Sequence, residues 1–435
     1  MAIIPQQRLF GWDEIEKLGD LERLQLVLEH MPDEGMMKML ECERGRGRND
    51  YPVRAVWNSM LAGIVYQHDS IESLRRELSR NGQLRFMCGF DNDVPPACVY
   101  SRFLKKLLER PKYVNDIFNT LVSELKKLFP GFGEVLAIDG KAIDTNAKSR
   151  KKEDQLPADG RRDTDANFGV KTYRGKLENG TLWEKAKSWF GYKLHLVIDA
   201  TYELPVAFSL TKASCAEAPQ AHQLLSKIAK VHPEIIKDCR LFLGDRGYDD
   251  GKLVSRLWDE YKVKPVIDIC NRWKDGEKTR LLGKHTNIVH DYRGTVYCYC
   301  PASGKQREMA YGGFEKNRET LKYRCPAKHY GITCKGQDLC NCSQGIRIPL
   351  AEDRRVFTPL ARSSYSWKTE YKKRTAVERV NSRLDVSFGF ENHFIKGMRK
   401  MNVRCGLALC VMLTMALGRA KTKQFDKLRS LVKSA

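Results

Sequence analysis

Between residues 12 and 130, apolar side chains return every three or four positions. Ile15, Leu18, Leu21, Leu24 and Leu28 form one such series, and Val53, Val56, Trp57, Met60, Leu61 and Ile64 form another. That period puts each series on one face of a helix, so residues 1–130 are expected to form an N-terminal helical domain. Asp69, three residues ahead of Glu72, reads as a capping-box start, and Asn81-Gly82 as a stop. After Pro95-Pro96, a further helix sets Val99, Phe103 and Leu107 on one face and Arg102, Lys105, Lys106 and Arg110 on the other. The basic face is either a track for DNA phosphates or an ordinary solvated surface.

From residue 134 the period changes to short apolar runs bounded by Gly, Pro and Asp. Strands are expected at 135–138 ending on Asp139, at 189–198, at 205–210, at 241–243 ending on Gly244-Asp245, and at 265–269. Helices near 219–230 and 250–261 separate the last three. The order describes an α/β layer. Residues 270–352 interrupt it with a Tyr-, Gly- and Cys-rich segment, expected to be a β-rich insertion, so the α/β domain comprises 131–269 and 353–420. Helices resume at 367–384 and 395–420, residues 421–435 form a basic tail, and no internal repeat is evident.

Composition narrows the function. With 435 residues and 42% hydrophobic content the chain can bury a sizeable core in two or three compact parts. The 76 Lys and Arg against 54 Asp and Glu, a net charge of +22, imply a polyanionic partner, with nucleic acid the first candidate. Charge alone leaves a ribosome-associated or membrane-surface protein open. Pro5, Arg8, Asp13 and Glu14 break the N-terminus before an export signal forms. The uncharged run from Gly406 to Gly418 is shorter than the ~20 residues that cross a bilayer, and is read as a buried helix with no membrane partner. Fourteen cysteines without such a signal point to a reducing, cytoplasmic setting, nucleoid-associated if DNA is the partner, with thiols in the core or on metal.

Breaking a phosphodiester requires relief of charge on both the attacking and leaving oxygens, which divalent ions held by carboxylates provide. Strands ending in Asp139 (AIDGK) and Asp245 (LGDRGYD) suit that task, and Gly140 would let backbone or phosphate approach. An isolated strand-end Asp is more often a turn former, as Asp199 in HLVIDA. In YKKRTAVERVNSR, Tyr371, Arg374 and Glu378 are three and four residues apart and share one helical face, beside a buried stripe of Val377, Val380 and Leu384. Taken alone, Arg374 and Glu378 read as an intrahelical ion pair worth about 0.3–0.5 kcal/mol. A carboxylate helix placed after two strand-end aspartates meets the needs of a two-metal nuclease.

These pieces, together with FGYKLHLVID and ELPVAFSLT, occur in one order over most of the chain. In that order they resemble the Asp-Asp-Glu (DDE) transposases of bacterial insertion sequences, in the subgroup with a β-rich insertion and a Tyr-x2-Arg-x3-Glu signature. The resemblance implies a ribonuclease H-like catalytic core. It makes Asp139, Asp245 and Glu378 the catalytic metal ligands for two Mg²⁺ (or Mn²⁺) ions, and places Tyr371 and Arg374 on the DNA backbone. It further implies cleavage at transposon ends, joining of the 3′-hydroxyl to target DNA, double-stranded DNA with terminal inverted repeats, and a homodimer in the DNA complex. A nuclease without strand transfer, or a non-catalytic DNA-binding descendant, are the alternatives. Where the subgroup carries a Lys seven residues after the Glu, this chain has Asp385, with Arg379 and Arg383 nearby. Members can form a hairpin intermediate whose flipped base stacks on a Trp of the insertion. Trp273 is the candidate for that DNA contact, against a plain core tryptophan.

Cys298, Cys300, Cys325, Cys334, Cys340 and Cys342 cluster in the insertion, with Cys300, Cys325, Cys334 and Cys340 the candidates for a structural Zn²⁺, free thiols being the alternative. His195 and His222 are expected to be structural, and Cys215 lacks an evident base partner for a nucleophilic role.

Overall fold

The computed structural model describes residues 21–45, 49–148, 163–177, 179, 181–340 and 344–429. Ile15, Leu18, Cys342 and residues 430–435 of the basic tail lie outside them. Seven helices come first: α1 (Leu21–His30), α2 (Glu34–Arg44), α3 (Val53–Val65), α4 (Ile71–Arg80), α5 (Gly82–Cys88), α6 (Ala97–Glu109) and α7 (Lys112–Leu128). The cap of α4 is Ser70, one residue after the expected Asp69, because its hydroxyl accepts from Ser73 N–H at 3.2 Å. Asn81 ends α4 and also caps α5, accepting from Leu84 N–H at 2.9 Å.

The central sheet holds β1 (Val135–Asp144), β2 (Asn167–Lys176), β3 (Leu182–Asp199), β4 (Leu204–Lys212), β5 (Leu241–Gly244) and β6 (Lys264–Ile267). Its order is β2-β3-β1-β5-β6, with β4 on the other edge of β3. β1 runs antiparallel to β3 and parallel to β5, and β5 runs parallel to β6. The first half of the 18-residue β3 pairs with β2 in a hairpin whose residues are mostly exposed, and only its second half enters the core. The hairpin differs from the expected single strand at 189–198. Exposed on both faces, it lacks the alternation that marks a half-buried strand.

Helices α8 (Glu217–Val231) and α9 (Pro233–Asp238) connect β4 to β5, and α10 (Gly251–Ser255) precedes β6. The insertion then forms a four-stranded sheet from β7 (Arg280–Leu281), β8 (Ile288–His290), β9 (Val296–Tyr299) and β10 (Gln306–Glu308). A three-stranded sheet follows from β11 (Ala310–Glu315), β12 (Thr320–Arg324) and β13 (Ile346–Pro349), with the short α11 (Pro326–Tyr330) in its loop. The expected helix at 367–384 is two, α12 (Tyr365–Lys372) and α13 (Thr375–Phe388), separated at Lys373 and Arg374, and α14 (Met398–Lys421) follows.

Two apolar cores result. The smaller lies in the insertion and includes Ile288, Val296, Leu321, Tyr323 and Ile348, with Trp258 and Phe357 from its flanks. The larger runs without a break from the N-terminal helices through the sheet to α13 and α14. α14 explains that continuity. Long and apolar enough by composition to cross a membrane, it is instead almost wholly buried, packed on α1, α3 and α7 and on β4. The N-terminal helices therefore share their core with the sheet.

The insertion is fastened by buried charge. Asp249 takes a two-pronged ion pair from Arg355, at 2.8 and 2.7 Å. Arg362, fully enclosed, donates to the carbonyls of Ile267, Val356 and Arg355.

Candidate active site

The parallel register of β1 and β5 sets Ala137 opposite Leu243, and two residues further along each strand stand Asp139 and Asp245. Both aspartates thus reach the same edge of the sheet, level with one another. Asp245 caps the turn that follows, its Oδ1 accepting from Gly247 N–H at 2.8 Å. Asp139 is partly enclosed. Burial first, then the charge of Asp245, pushes its carboxyl up to about 6, against the opposing pull of Gly140 N–H, Lys171 and Arg374. Two carboxylates crowded this way repel, and a cation between them would relieve the repulsion.

Helix α13 lies on β1 through Val377, Val380 and Leu384, the stripe expected from sequence. Arg374, at the start of α13, donates from Nη2 to Glu378 Oε1 at 2.6 Å, while its guanidinium sits 5.8 Å from the Tyr371 ring centre and within the field of Asp139. Tyr371 in turn stacks on the buried Trp367 at 4.6 Å, within the field of Asp268 and Asp245. Arg374 and Tyr371 therefore lie within the field of the aspartate pair. Glu378 itself is half exposed and turned to Arg374. Among the described residues, no group of three or more His, Cys, Asp or Glu side chains is arranged to hold a metal ion as it stands.

A cleft of about 820 Å³ opens at Asp245 and is lined by Lys141, Lys171, Lys187, Lys193 and Arg246, among others. Two features of it escaped the sequence reading. Asp385, the departure from the subgroup pattern, accepts an ion pair at 2.5 Å from Lys141, which shares a strand face with Asp139. Arg379 and Arg383 do not fill the missing cationic position, because both are tied to the buried carboxylate of Glu203 at 2.8 Å.

The second feature is Glu217, from the first turn of α8, paired with Lys193 at 3.3 Å. A Cβ on Gly247 would stand 1.7 Å from Glu217 Oε2, and one on Gly140 would stand 3.2 Å from Oε1. The two glycines near the aspartates make room for this carboxylate. Beneath the edge lies the buried Tyr248, in the field of Glu217, Asp139 and Asp245, with no hydrogen-bond partner for its hydroxyl among the described residues.

The remaining candidates fall elsewhere. Arg102, Lys105 and Lys106 stand on the outer face of α6; Arg102 bonds the Cys98 carbonyl at 3.3 Å, Lys105 approaches Glu109 at 4.0 Å and Lys106 approaches Glu43 at 3.9 Å. Trp273 is outside the core, half-buried in a surface cleft of the insertion, with the Arg280 guanidinium 4.5 Å from its ring centre and His290 beside it. His195 bonds Thr211 at 3.0 Å and burial pushes its ring down to about 4, while His222 bonds Asp250 at 2.8 Å. Cys215 bonds the Ala216 carbonyl and the Gln220 amide. Cys298, Cys300, Cys325, Cys334 and Cys340 meet around one small cavity in the insertion, and none of the thirteen described cysteines is in a disulfide.

A family model described as a transposase DDE domain matches residues 130–414. Among solved structures, a cryo-EM structure of a piggyBac transposase synaptic complex with hairpin DNA is similar at 12% identity and a TM-score of 0.30, over 95% of this chain and 85% of that one. No curated protein matches the chain.

Proposed function

Because the chain belongs to the transposase DDE-domain family, we propose that it cuts DNA at transposon ends and joins the freed 3′-hydroxyl to target DNA, in the manner of bacterial insertion-sequence enzymes. The observation that carries this reading is the pairing of Asp139 with Asp245 at one sheet edge, faced by Arg374 and Tyr371. The strand order, three antiparallel strands flanked by two parallel ones, supports a ribonuclease H-like core.

The donors fit hard divalent ions. The Asp139 carboxyl is raised by burial first and by the neighbouring Asp245 charge second, and the orphaned Tyr248 hydroxyl beneath it is a polar atom in want of a partner. Asp139, Asp245 and Glu378 would hold two Mg²⁺ (or Mn²⁺) ions, which supply charge neutralisation at the attacking and leaving oxygens. Glu378 takes part by exchanging its bond to Arg374, whose guanidinium is then free for a phosphate.

Tyr371, held flat on Trp367, orients the sugar-phosphate chain, and the lysine-lined cleft receives the strands. Lys141 takes the cationic place that the subgroup fills from the helix, with Asp385 as its anchor. Arg102, Lys105 and Lys106 add phosphate contacts from α6, and Trp273 is the stacking platform for a flipped base. Two copies of the chain pair two DNA ends.

The test is a strand-transfer assay with Mg²⁺ on DNA carrying the element's inverted repeats. Joined products support the reading. Cleaved but unjoined ends make the chain a nuclease, and binding without cleavage makes it a non-catalytic descendant.

A further inference from the structure

The insertion presents chemistry that DNA cleavage does not use. Its two sheets are built from strands of two to six residues, a small structure to enclose a stable core. At their junction, five cysteines line one cavity of about 10 Å³. They arrive from separate places: Cys298 and Cys300 from β9 and the residue after it, Cys325 from the residue before α11, and Cys334 and Cys340 from the loop that follows.

N–H donors converge on three of these sulfurs. Backbone N–H groups of Ala302 and Ser303 face Cys300 Sγ, and that of Gly336 faces Cys334 Sγ. Asn287 Nδ2 donates to Cys340 Sγ at 2.9 Å. An N–H donor gains more from S⁻ than from S–H, and such donors orient sulfur that is already committed to a cation. The loop is also shaped for close approach. A Cβ on Gly336 would stand 2.9 Å from Pro301 Cδ and 3.0 Å from Cys300 Sγ, so only glycine lets the Cys334 turn fold over the Cys300 turn.

Cys298 differs from the other four in position: it stands within β9, paired opposite Ile288 and Arg307, whereas the others lie in turns and loops. The described thiols do not converge on one point as they stand, so binding a metal requires their side chains to turn inward.

We propose that Cys300, Cys325, Cys334 and Cys340 bind one Zn²⁺ as a closed tetrathiolate that clasps the 326–340 loop to the end of β9. The exchange balances simply. Four S–H bonds break, four Zn–S bonds form, and four protons leave to solvent with no change of oxidation state. Soft sulfur selects zinc over the magnesium of the catalytic reading, so the two sites do not compete. The clasp holds the insertion together independently of the carboxylate edge, and the experiment can fail without touching the catalytic proposal.

The full chain, purified without chelator under reducing conditions, is analysed for metal by plasma mass spectrometry and by mercurial titration of thiols. The expected result is one zinc per chain, released as the thiols are titrated. Cys300→Ser and Cys334→Ser lose it, while Cys298→Ser keeps it. Replacement by Co²⁺ in the unmutated chain should give thiolate-to-cobalt charge-transfer bands and tetrahedral d–d bands, a readout that does not require the variants to fold. The proposal is overturned by zinc far below stoichiometric, by a Cys300–Cys334 disulfide in its place, by loss of zinc from Cys298→Ser with retention in Cys300→Ser, or by a cobalt spectrum without sulfur charge transfer.

Discussion

Asp139→Asn should make the metal-free protein more stable at neutral pH. Crowding by burial and by Asp245 raises the Asp139 carboxyl from 3.8 to about 6. A carboxyl whose folded pKa is raised helps the fold only while protonated. Its favourable contribution is complete below about pH 4 and is lost as the pH climbs through about 6. At pH 7 the ionised group therefore costs about 2 units at 1.36 kcal/mol each, close to 3 kcal/mol at most, since one side of the carboxyl stays open to the cleft. Asparagine keeps the shape and can still accept the Gly140 N–H, yet carries no charge. For a chain of this size, about 1 °C of melting temperature corresponds to 1 kcal/mol, so a rise of up to about 3 °C is expected in EDTA. Differential scanning calorimetry at pH 7 and pH 4, with EDTA or excess Mg²⁺, measures it. At pH 4 the gain should vanish, and Mg²⁺ should stabilise only the unmutated chain. An asparagine variant no more stable than its parent at pH 7 in EDTA, or equally favoured at pH 4, would refute the electrostatic account of this edge.

Asp245→Asn should reduce cleavage by on the order of 10²–10³-fold or more while leaving DNA affinity intact in a gel-shift titration; retained cleavage removes Asp245 from the site. A double-mutant cycle on Lys141→Met and Asp385→Leu should give a coupling of about 0.5–3 kcal/mol by urea unfolding, since both groups are largely enclosed, and a coupling of zero would mean the ion pair does not form in solution. Replacing Arg102, Lys105 and Lys106 together with Ala should weaken DNA binding and flatten its dependence on salt by about one to three phosphates, whereas an unchanged slope returns α6 to a solvated surface. Arg362→Met should destabilise the protein by about 3–5 kcal/mol, because three backbone carbonyls lose their donor in a closed space; a variant as stable as the parent would show that water replaces the guanidinium.

Much of the candidate edge was legible in the chain because strand-end aspartates and a helix face are local patterns. AIDGK and LGDRGYD each carry an apolar run into an acid, and Tyr371, Arg374 and Glu378 fall on one helical face by spacing alone. The position of Glu217 was not legible. It is one acid at a helix start, and its meaning comes from two distant glycines whose missing side chains it occupies. Those glycines were the available signal, because each lies within two residues of a candidate catalytic aspartate. The Lys141–Asp385 pair joins residues 244 apart in sequence, beyond any periodic reading. The hairpin of β2 and β3 was hidden for another reason. On it, Trp189 and Trp183 each lie over a cross-strand glycine, Gly169 and Gly175, so its order rests on aromatic cover rather than on alternating burial.

The placement of α14 has a consequence for synthesis. Its 24 residues form the shared wall between the N-terminal helices and the sheet, yet they leave the ribosome after nearly everything they support. Until Met398 and its successors emerge, both halves present unpaired apolar surface, a condition in which nascent chains aggregate or are degraded. A stop codon ahead of this helix should thus yield no separately folded fragment of either half.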